Sequence, residues 1–431
     1  MKYLLPIAVA GALITGACSN GNKNTTAVEN NHNFITVKDG RFYDGDSVYR
    51  YIGTNFWYGP LLASEGSFGD RRRLTAELDS LQAIGIGNLR VLAGGDGPDG
   101  LASHIEPNLQ TAPGVYNDTI LRGLDYFIAQ LEKRGMKAVI YLNNAWEWSG
   151  GYSAYLEWAG KGKAVIPSES GWPAYYAYVH EFYNCDSAKV LAANHVRNIV
   201  GRTSTVTGKP YSESPAIMAW QIGNEPRPFG EDNKEVYLKW IEETARLIKS
   251  IDPNHLVSVG NEGYMGTEMD IDLWAASSGF PEVDYATIHM WPYNWSWISE
   301  NAVADSVSVA AAKTDAYIAD HLSRLASMRK PLVIEEFGYP RDNMATAPGS
   351  STAGRDAYYR HVFSQVCDSA KIAGVNFWGW GGLATPRNYT WQKDDDYTGD
   401  PAQEPQGLNS VFAADSTTIT IIRDAVARMS R

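Results

Sequence analysis

Between Tyr51 and Trp380 the sequence holds eight short apolar runs, alternating with longer segments that often have helical period. The runs are Tyr51 to Asn55, Asn88 to Leu92, Lys137 to Asn143, Ile217 to Asn224, Leu256 to Gly260, Tyr285 to His289, Leu332 to Phe337 and Val375 to Trp380. Most are continuously apolar rather than alternating, as strands covered on both faces should be. Helices are predicted over Arg71 to Ile84, Ile120 to Arg134, Glu235 to Ser250, Ala310 to Met328 and Arg355 to Ala373; in the second, Leu121, Leu124, Phe127, Ile128 and Leu131 share one face. Strands and helices in this alternation predict an α/β chain folded as a (β/α)₈ TIM barrel.

Such a barrel needs roughly 250 residues, and the chain has 431. The surplus is assigned to enlarged βα loops, chiefly Ala145 to Asp186, because no Ser/Pro-rich linker or internal repeat marks a second domain. Phe34 to Val48, with Asp39-Gly40 and Asp44-Gly45 as turns, predicts a short N-terminal β-hairpin closing the barrel bottom. Residues 1–17 read as an export signal: Lys2, then apolar Leu4 to Ile14, then Thr15-Gly16-Ala17. The apolar stretch is too short to span a membrane. Ile14-Thr15-Gly16-Ala17-Cys18 resembles the lipobox of bacterial lipoproteins, which implies a lipidated Cys18, with ordinary cleavage beside an incidental cysteine as the rival reading. Residues 18–33 hold almost nothing to bury and are expected to be a tether, leaving 34–431 as the barrel domain. The expected location is the cell envelope, at the outer membrane or cell surface, with a periplasmic or secreted soluble protein as the alternative.

A net charge of -12 argues against nucleic acid as a partner. The anchor is then the sole expected membrane contact, and a monomer is expected. The 25 Tyr and 14 Trp suit either sugar stacking or core packing. Cys185 and Cys367 are expected on helices separated by the barrel, and so as free thiols. The 8 His show no paired ligand spacing, and Asp394-Asp395-Asp396 reads as a solvated loop. Neither metal nor cofactor is expected.

Reactive groups in such barrels gather at the C-terminal ends of the strands. The fourth run ends in Asn224-Glu225-Pro226 and the seventh in Glu335-Glu336-Phe337-Gly338. A carboxyl there is costly to bury without work or a partner, and two on opposite sides of one pocket suit glycoside hydrolysis. Ion-paired strand caps are the competing structural reading. Asn224 would bond a sugar hydroxyl, and Glu335, next along the strand, should point away from Glu336.

With Asn-Glu-Pro and Glu-Phe-Gly come Arg90 in Asn88-Leu89-Arg90-Val91-Leu92, His289 in Ile288-His289-Met290-Trp291, and Trp378 in Asn376-Phe377-Trp378-Gly379-Trp380. In that order the chain resembles family 5 of the glycoside hydrolases over nearly everything from Phe34 onward. The resemblance implies Glu225 as acid/base, Glu336 as nucleophile, Arg90 bonded to Glu336, His289 beside the acid/base, and Trp378 under the sugar being cleaved. Glu225 would need a raised pKa, while Glu336 stays ionised near Arg90.

Five stretches resemble the β-mannanase subfamily, number seven of that family: Gly53 to Tyr58, Tyr141 to Gly151, Thr205 to Tyr211, Asn224 to Arg227, and Glu404 to Phe412. By that likeness Arg227 contacts sugars on the leaving-group side, while Trp57, Asn144 and Trp146 face the other side. One departure is Trp291, where many members carry Tyr to bond the nucleophile. The reading is an endo-β-1,4-mannanase acting on mannan, glucomannan or galactomannan by double displacement. Its rivals are a cellulase or an exo-acting mannobiohydrolase of the same family, and a carbohydrate-binding lipoprotein on a dead barrel.

Overall fold

A computed structural model describes residues 34–429; the expected signal, the tether and Cys18 lie outside the described residues. Eight parallel strands make one sheet: β1 Tyr51–Asn55, β2 Asn88–Leu92, β3 Lys137–Tyr141, β4 Ile217–Gln221, β5 Leu256–Ser258, β6 Ala286–Met290, β7 Leu332–Phe337 and β8 Ile372–Phe377. They run in the order β5-β4-β3-β2-β1-β8-β7-β6. A bridge between Ser258 and Tyr285 joins the two outer strands and closes the barrel. Every residue of all eight strands is buried, the continuous burial that the apolar runs require.

The helices wrap the outside with their apolar faces inward. In Asp118–Arg134, Leu124, Phe127, Ile128 and Leu131 are buried while Leu121 is only partly covered. Asn117 accepts from Thr119 N at 3.1 Å, and Gly135 ends the helix at φ 65° with Lys133 and Arg134 in its last turn, placing each terminal group where the helix dipole favours it.

Three expectations are corrected. The N-terminal hairpin is a three-stranded antiparallel sheet, Ile35–Lys38, Arg41–Asp44 and Ser47–Tyr49, because the chain reverses at Asp44-Gly45 as well as Asp39-Gly40. Its Ile35 and Phe42 join Tyr51, Val139, Met218, Tyr285 and Val333 in a core that plugs the barrel's N-terminal end. The last strand starts at Ile372 rather than Val375, because the preceding helix stops at Asp368. There the Arg50 guanidinium collects the carbonyls of Val366 and Ser369, which the helix end leaves free, and that of Ile372 at the start of the strand. Finally, register shifts mark irregular pairing around Glu335 in β7. Glu335 is fully buried, with its carboxylate accepting from Gln221 and lying 3.7 Å from Arg90 Nε, so both neighbouring glutamates share one guanidinium.

The long loop after β3 is largely helical, including Gly151–Trp158 and Trp172–Val179. Two of the five quoted stretches anchor the scaffold. Thr205 and Tyr211 both bond Asp125, which also takes two bonds from Arg202. Asp400 accepts from the backbone of Gly407, Asn409 and Ser410, pinning the loop after β8. Cys185 and Cys367 are free; one precedes the helix Asp186–Val200, the other lies within Ala353–Asp368.

Candidate active site

The centre of the site is Arg90, fully buried at mid-strand in β2. Its Nε donates to Gln221 Oε1 at 2.9 Å, Nη1 to Asn55 Oδ1 at 3.1 Å and to Glu336, and Nη2 to Asn224 Oδ1 at 2.8 Å, while Tyr141 lies against its face at 4.5 Å. Groups from four other strands thus surround one cation, the condition for keeping a guanidinium buried. Glu225 follows β4 at φ +51°, an uncommon conformation for a residue with a side chain. Its N–H is held by Gly260 O at 2.9 Å. Gly260 sits at φ +84°, and a Cβ there would lie 2.0 Å from Gly223 O, so only glycine permits this approach.

One oxygen of Glu225, one of Glu336 and a nitrogen of His289 lie within 4.8 Å of one another. His289 Nδ1 stands 2.7 Å from Glu225 Oε1 and 3.3 Å from Glu336 Oε2. Trp146 Nε1 donates to Glu225 Oε2 at 2.5 Å, and Trp291 Nε1 to Glu336 Oε2 at 3.1 Å. The indole at the departure from the usual Tyr therefore supplies a hydrogen bond to this carboxylate. Its room comes from Gly338, where a Cβ would fall 2.4 Å from the Trp291 ring. Glu225, His289 and Glu336 are ligand types that take a cation, but Arg90 already neutralises Glu336.

Burial raises both carboxyls. At Glu225 the His289 imidazole, Arg227 and the Trp146 indole outweigh it and hold the group down at about 2. At Glu336 burial prevails over His289, Arg90 and Trp291, and the neighbouring Glu225 adds to the rise. This reverses the expected shifts, because His289 Nδ1 is closer to Glu225 than to Glu336.

The cleft above these groups encloses about 1240 Å³ and is lined by Trp146, Asn224, Glu225, Arg227, Trp291, Glu336 and Trp378 among others. Trp378 is 3% exposed and meets Trp291 edge to face at 5.8 Å. Two expectations fail here. Trp57 does not line the cleft; its Nε1 bonds Gly399 O at 3.1 Å and its ring packs on Trp148 and Tyr397. Trp146 does not face Arg227 from across the cleft, because the Arg227 guanidinium stacks on it at 4.6 Å and pairs with Glu262. Asn144 acts from behind, accepting from Trp146 N at 3.0 Å and Asn224 Nδ2 at 3.2 Å.

Sequence reading missed Glu262, Trp172, Tyr176, Glu147 and Glu404 as cleft residues. Burial pushes Glu147 up to about 7. Burial, with Asp400, Glu336 and Glu225 nearby, pushes Glu404 up to about 8. The shift favours the neutral form of Glu404, whose hydroxyl can donate to a sugar. Its place in the last of the quoted stretches was the available signal; nothing in the sequence marked Trp172 or Tyr176 apart from the surplus length around them.

Residues 32–431 match a family profile described as GH family 5 beta-mannosidase-like. A putative mannan endo-1,4-beta-mannosidase of Oryza sativa subsp. japonica is 31% identical over 81% of this chain and 81% of its own length. The solved glycoside hydrolase family 5 mannosidase from Rhizomucor miehei is similar at a TM-score of 0.85 and 32% identity, covering 92% of this chain and 97% of that one. A variant of that enzyme, in complex with mannosyl-fructose, matches equally well, with a TM-score of 0.85, 32% identity and the same coverage.

Proposed function

The chain belongs to glycoside hydrolase family 5, and from that premise we propose that it is a retaining endo-β-1,4-mannanase of the seventh subfamily, acting on mannan, glucomannan or galactomannan. The observation that carries the mechanism is the spacing of the two carboxylates, an oxygen of each within 4.8 Å. Retaining enzymes hold the pair about 5 to 5.5 Å apart, and inverting ones roughly 6.5 to 9.5 Å to admit a water.

In the first displacement Glu336 forms a bond to the anomeric carbon as the bond to the leaving oxygen breaks, and Glu225 gives that oxygen its proton. Water then attacks the glycosyl-enzyme, losing a proton to Glu225 as Glu336 departs. His289 contacts both carboxylates, and Arg90 with Trp291 stabilises the anion on Glu336. Trp378 floors the sugar being cleaved, and Asn224, held by Arg90 and Asn144, meets its 2-hydroxyl.

Hydrolysis of soluble mannan beside cellulose tests the substrate, and NMR of the first-formed anomer tests retention. Faster sugar release from cellulose overturns the first, an inverted product the second. Glu336→Ala is expected to abolish turnover on every substrate.

Action at chain ends is the second reading, favoured by the likeness to a profile described as beta-mannosidase-like. Early products from an end-reduced mannohexaose separate the two, since internal cleavage yields mixed oligomers and terminal cleavage one short product. The proposal extends to export and a lipid anchor at Cys18 in the cell envelope, and to a monomer. Export and the anchor are supported by the lipobox-like sequence.

A further inference from the structure

Tyr317 and His321 lie one turn apart on Val307–Leu325, the helix that follows β6, so they share a face. Both are fully buried, and neither lines the cleft. A buried hydroxyl or imidazole is costly unless its polar atoms are bonded, and here those atoms converge on one backbone segment. The Tyr317 hydroxyl donates to Glu262 O at 2.6 Å, and His321 Nε2 accepts from Tyr264 N at 3.0 Å. Because Nε2 takes a backbone N–H, the ring hydrogen sits on Nδ1, which donates to Tyr317 O at 2.6 Å. Burial holds His321 down to about 4, so the ring is neutral and keeps this acceptor well above that pH.

The segment they hold follows β5 and enters the site. Glu262 O also accepts from His289 N at 3.0 Å. One carbonyl, with its two lone pairs, thus joins Tyr317 to the residue whose Nδ1 stands 2.7 Å from Glu225. The Glu262 side chain pairs with Arg227, the other cation that lowers Glu225. Both influences on Glu225 therefore depend on where Glu262 is held. The clamp is backed by rings: Trp274 meets His321 edge to face at 4.4 Å, Tyr264 stacks on it at 5.1 Å, and Trp295 lies 5.3 Å from Tyr317.

We propose that Tyr317 and His321 are positioning residues that clamp the segment from Glu262 to Tyr264 and, through it, fix His289 and Arg227 against Glu225. This rests on the reading of Glu225 as the acid/base of a mannan hydrolase. Short hydrogen bonds weaken steeply with misalignment, so a looser segment relaxes the hold on the Glu225 carboxylate. Arg90, Glu336 and Glu404 also face Glu225, and the clamp leaves them in place.

The test uses the full-length protein and its Tyr317→Phe, His321→Leu and His321→Gln variants. For each, kcat/KM is followed against pH on mannotetraose, whose leaving group needs a proton, and on a dinitrophenyl β-mannoside, whose leaving group does not. On mannotetraose the alkaline limb should move to higher pH by about 0.5 to 1 in Tyr317→Phe and His321→Leu, the size of one weakened hydrogen bond. His321→Gln, which keeps an acceptor for Tyr264 N, should return most of the way to the parent. On the dinitrophenyl substrate no variant should shift the limb. Tyr358→Phe removes another buried hydroxyl from the same helix, the one that meets Thr314 at 2.7 Å, and should lower Tm without shifting either limb. A limb that stays in place in a folded Tyr317→Phe or His321→Leu protein overturns the clamp, as does an equal shift on both substrates or in Tyr358→Phe. If Tyr317→Phe does not fold, the His321 pair decides. A parent protein that cleaves neither substrate overturns the mannan reading and the clamp with it.

Discussion

The residues around Glu336 explain how an indole replaces a phenol without leaving the carboxylate bare. Trp291 donates through nitrogen at 3.1 Å, and Gly338 leaves its ring the space. A hydrogen bond to a charged group contributes about 1.5 to 3 kcal/mol. Trp291→Phe, which keeps a ring and loses the donor, should therefore lower kcat on an aryl mannoside about tenfold to a hundredfold, and Trp291→Tyr should lose less. A Phe variant within about twofold of the parent would show that Arg90 alone suffices.

His289 sets the protonation of the pair. Glu225 is held at about 2 with His289 as the largest lowering influence, and because Glu225 must carry a proton to act as acid, its titration sets the alkaline limb of activity. For stability, a carboxyl depressed from 4.5 to about 2 contributes fully above pH 4.5 and loses that contribution as pH falls toward 2. His289→Ala removes the contact, so the alkaline limb of kcat/KM and the onset of acid unfolding should both move to higher pH. An alkaline limb that stays in place would assign the depression to Arg227 and Trp146 instead. At this scale the sequence marked Glu225 and Glu336, because carboxyls at the ends of apolar strands are conspicuous, and Arg90 and His289 only through their order among the family's motifs. It misplaced Trp57 and Trp146, because a tryptophan reads the same whether it lines a cleft or backs one.

Among the elements, runs with both faces covered were legible to within a few residues, because continuous apolarity has no other economical explanation in an α/β chain. What escaped were features set by distant partners. Arg50 ends the helix before β8 from more than three hundred positions away, and irregular pairing in β7 brings Glu335 inward. The third strand of the bottom plug is short and partly exposed, so its sequence carries no periodicity. The plug nonetheless bears on stability. Phe42 is fully buried and meets Tyr285 edge to face at 5.2 Å. Phe42→Ala should cost about 3 to 5 kcal/mol and lower Tm clearly, with kcat/KM at the permissive temperature little changed. Loss of activity at temperatures where the variant remains folded would reveal coupling between the two ends of the barrel.

At the scale of the molecule, the plug and the cleft occupy opposite ends of one barrel. The described chain enters at Ile35, in the core that closes the N-terminal end, whereas Glu225, Glu336 and the cleft stand at the C-terminal end of the strands. An attachment upstream of Phe34 therefore joins the domain away from its chemistry, and no described helix is long and apolar enough to cross a membrane. If Cys18 carries the lipid, residues 18–33 separate it from the described domain. One lipid chain gives only marginal binding, so stable attachment requires the multiple acyl chains of a lipoprotein anchor. Expressed with its own leader in a bacterial host, the parent should fractionate with membranes and gain mass at its N-terminal peptide. Cys18→Ala should appear in the soluble fraction with kcat/KM on soluble mannan within about twofold of the detergent-extracted parent, since nothing that lines the cleft is altered. A Cys18→Ala protein that stays with the membranes would remove the anchor and place attachment elsewhere on the chain.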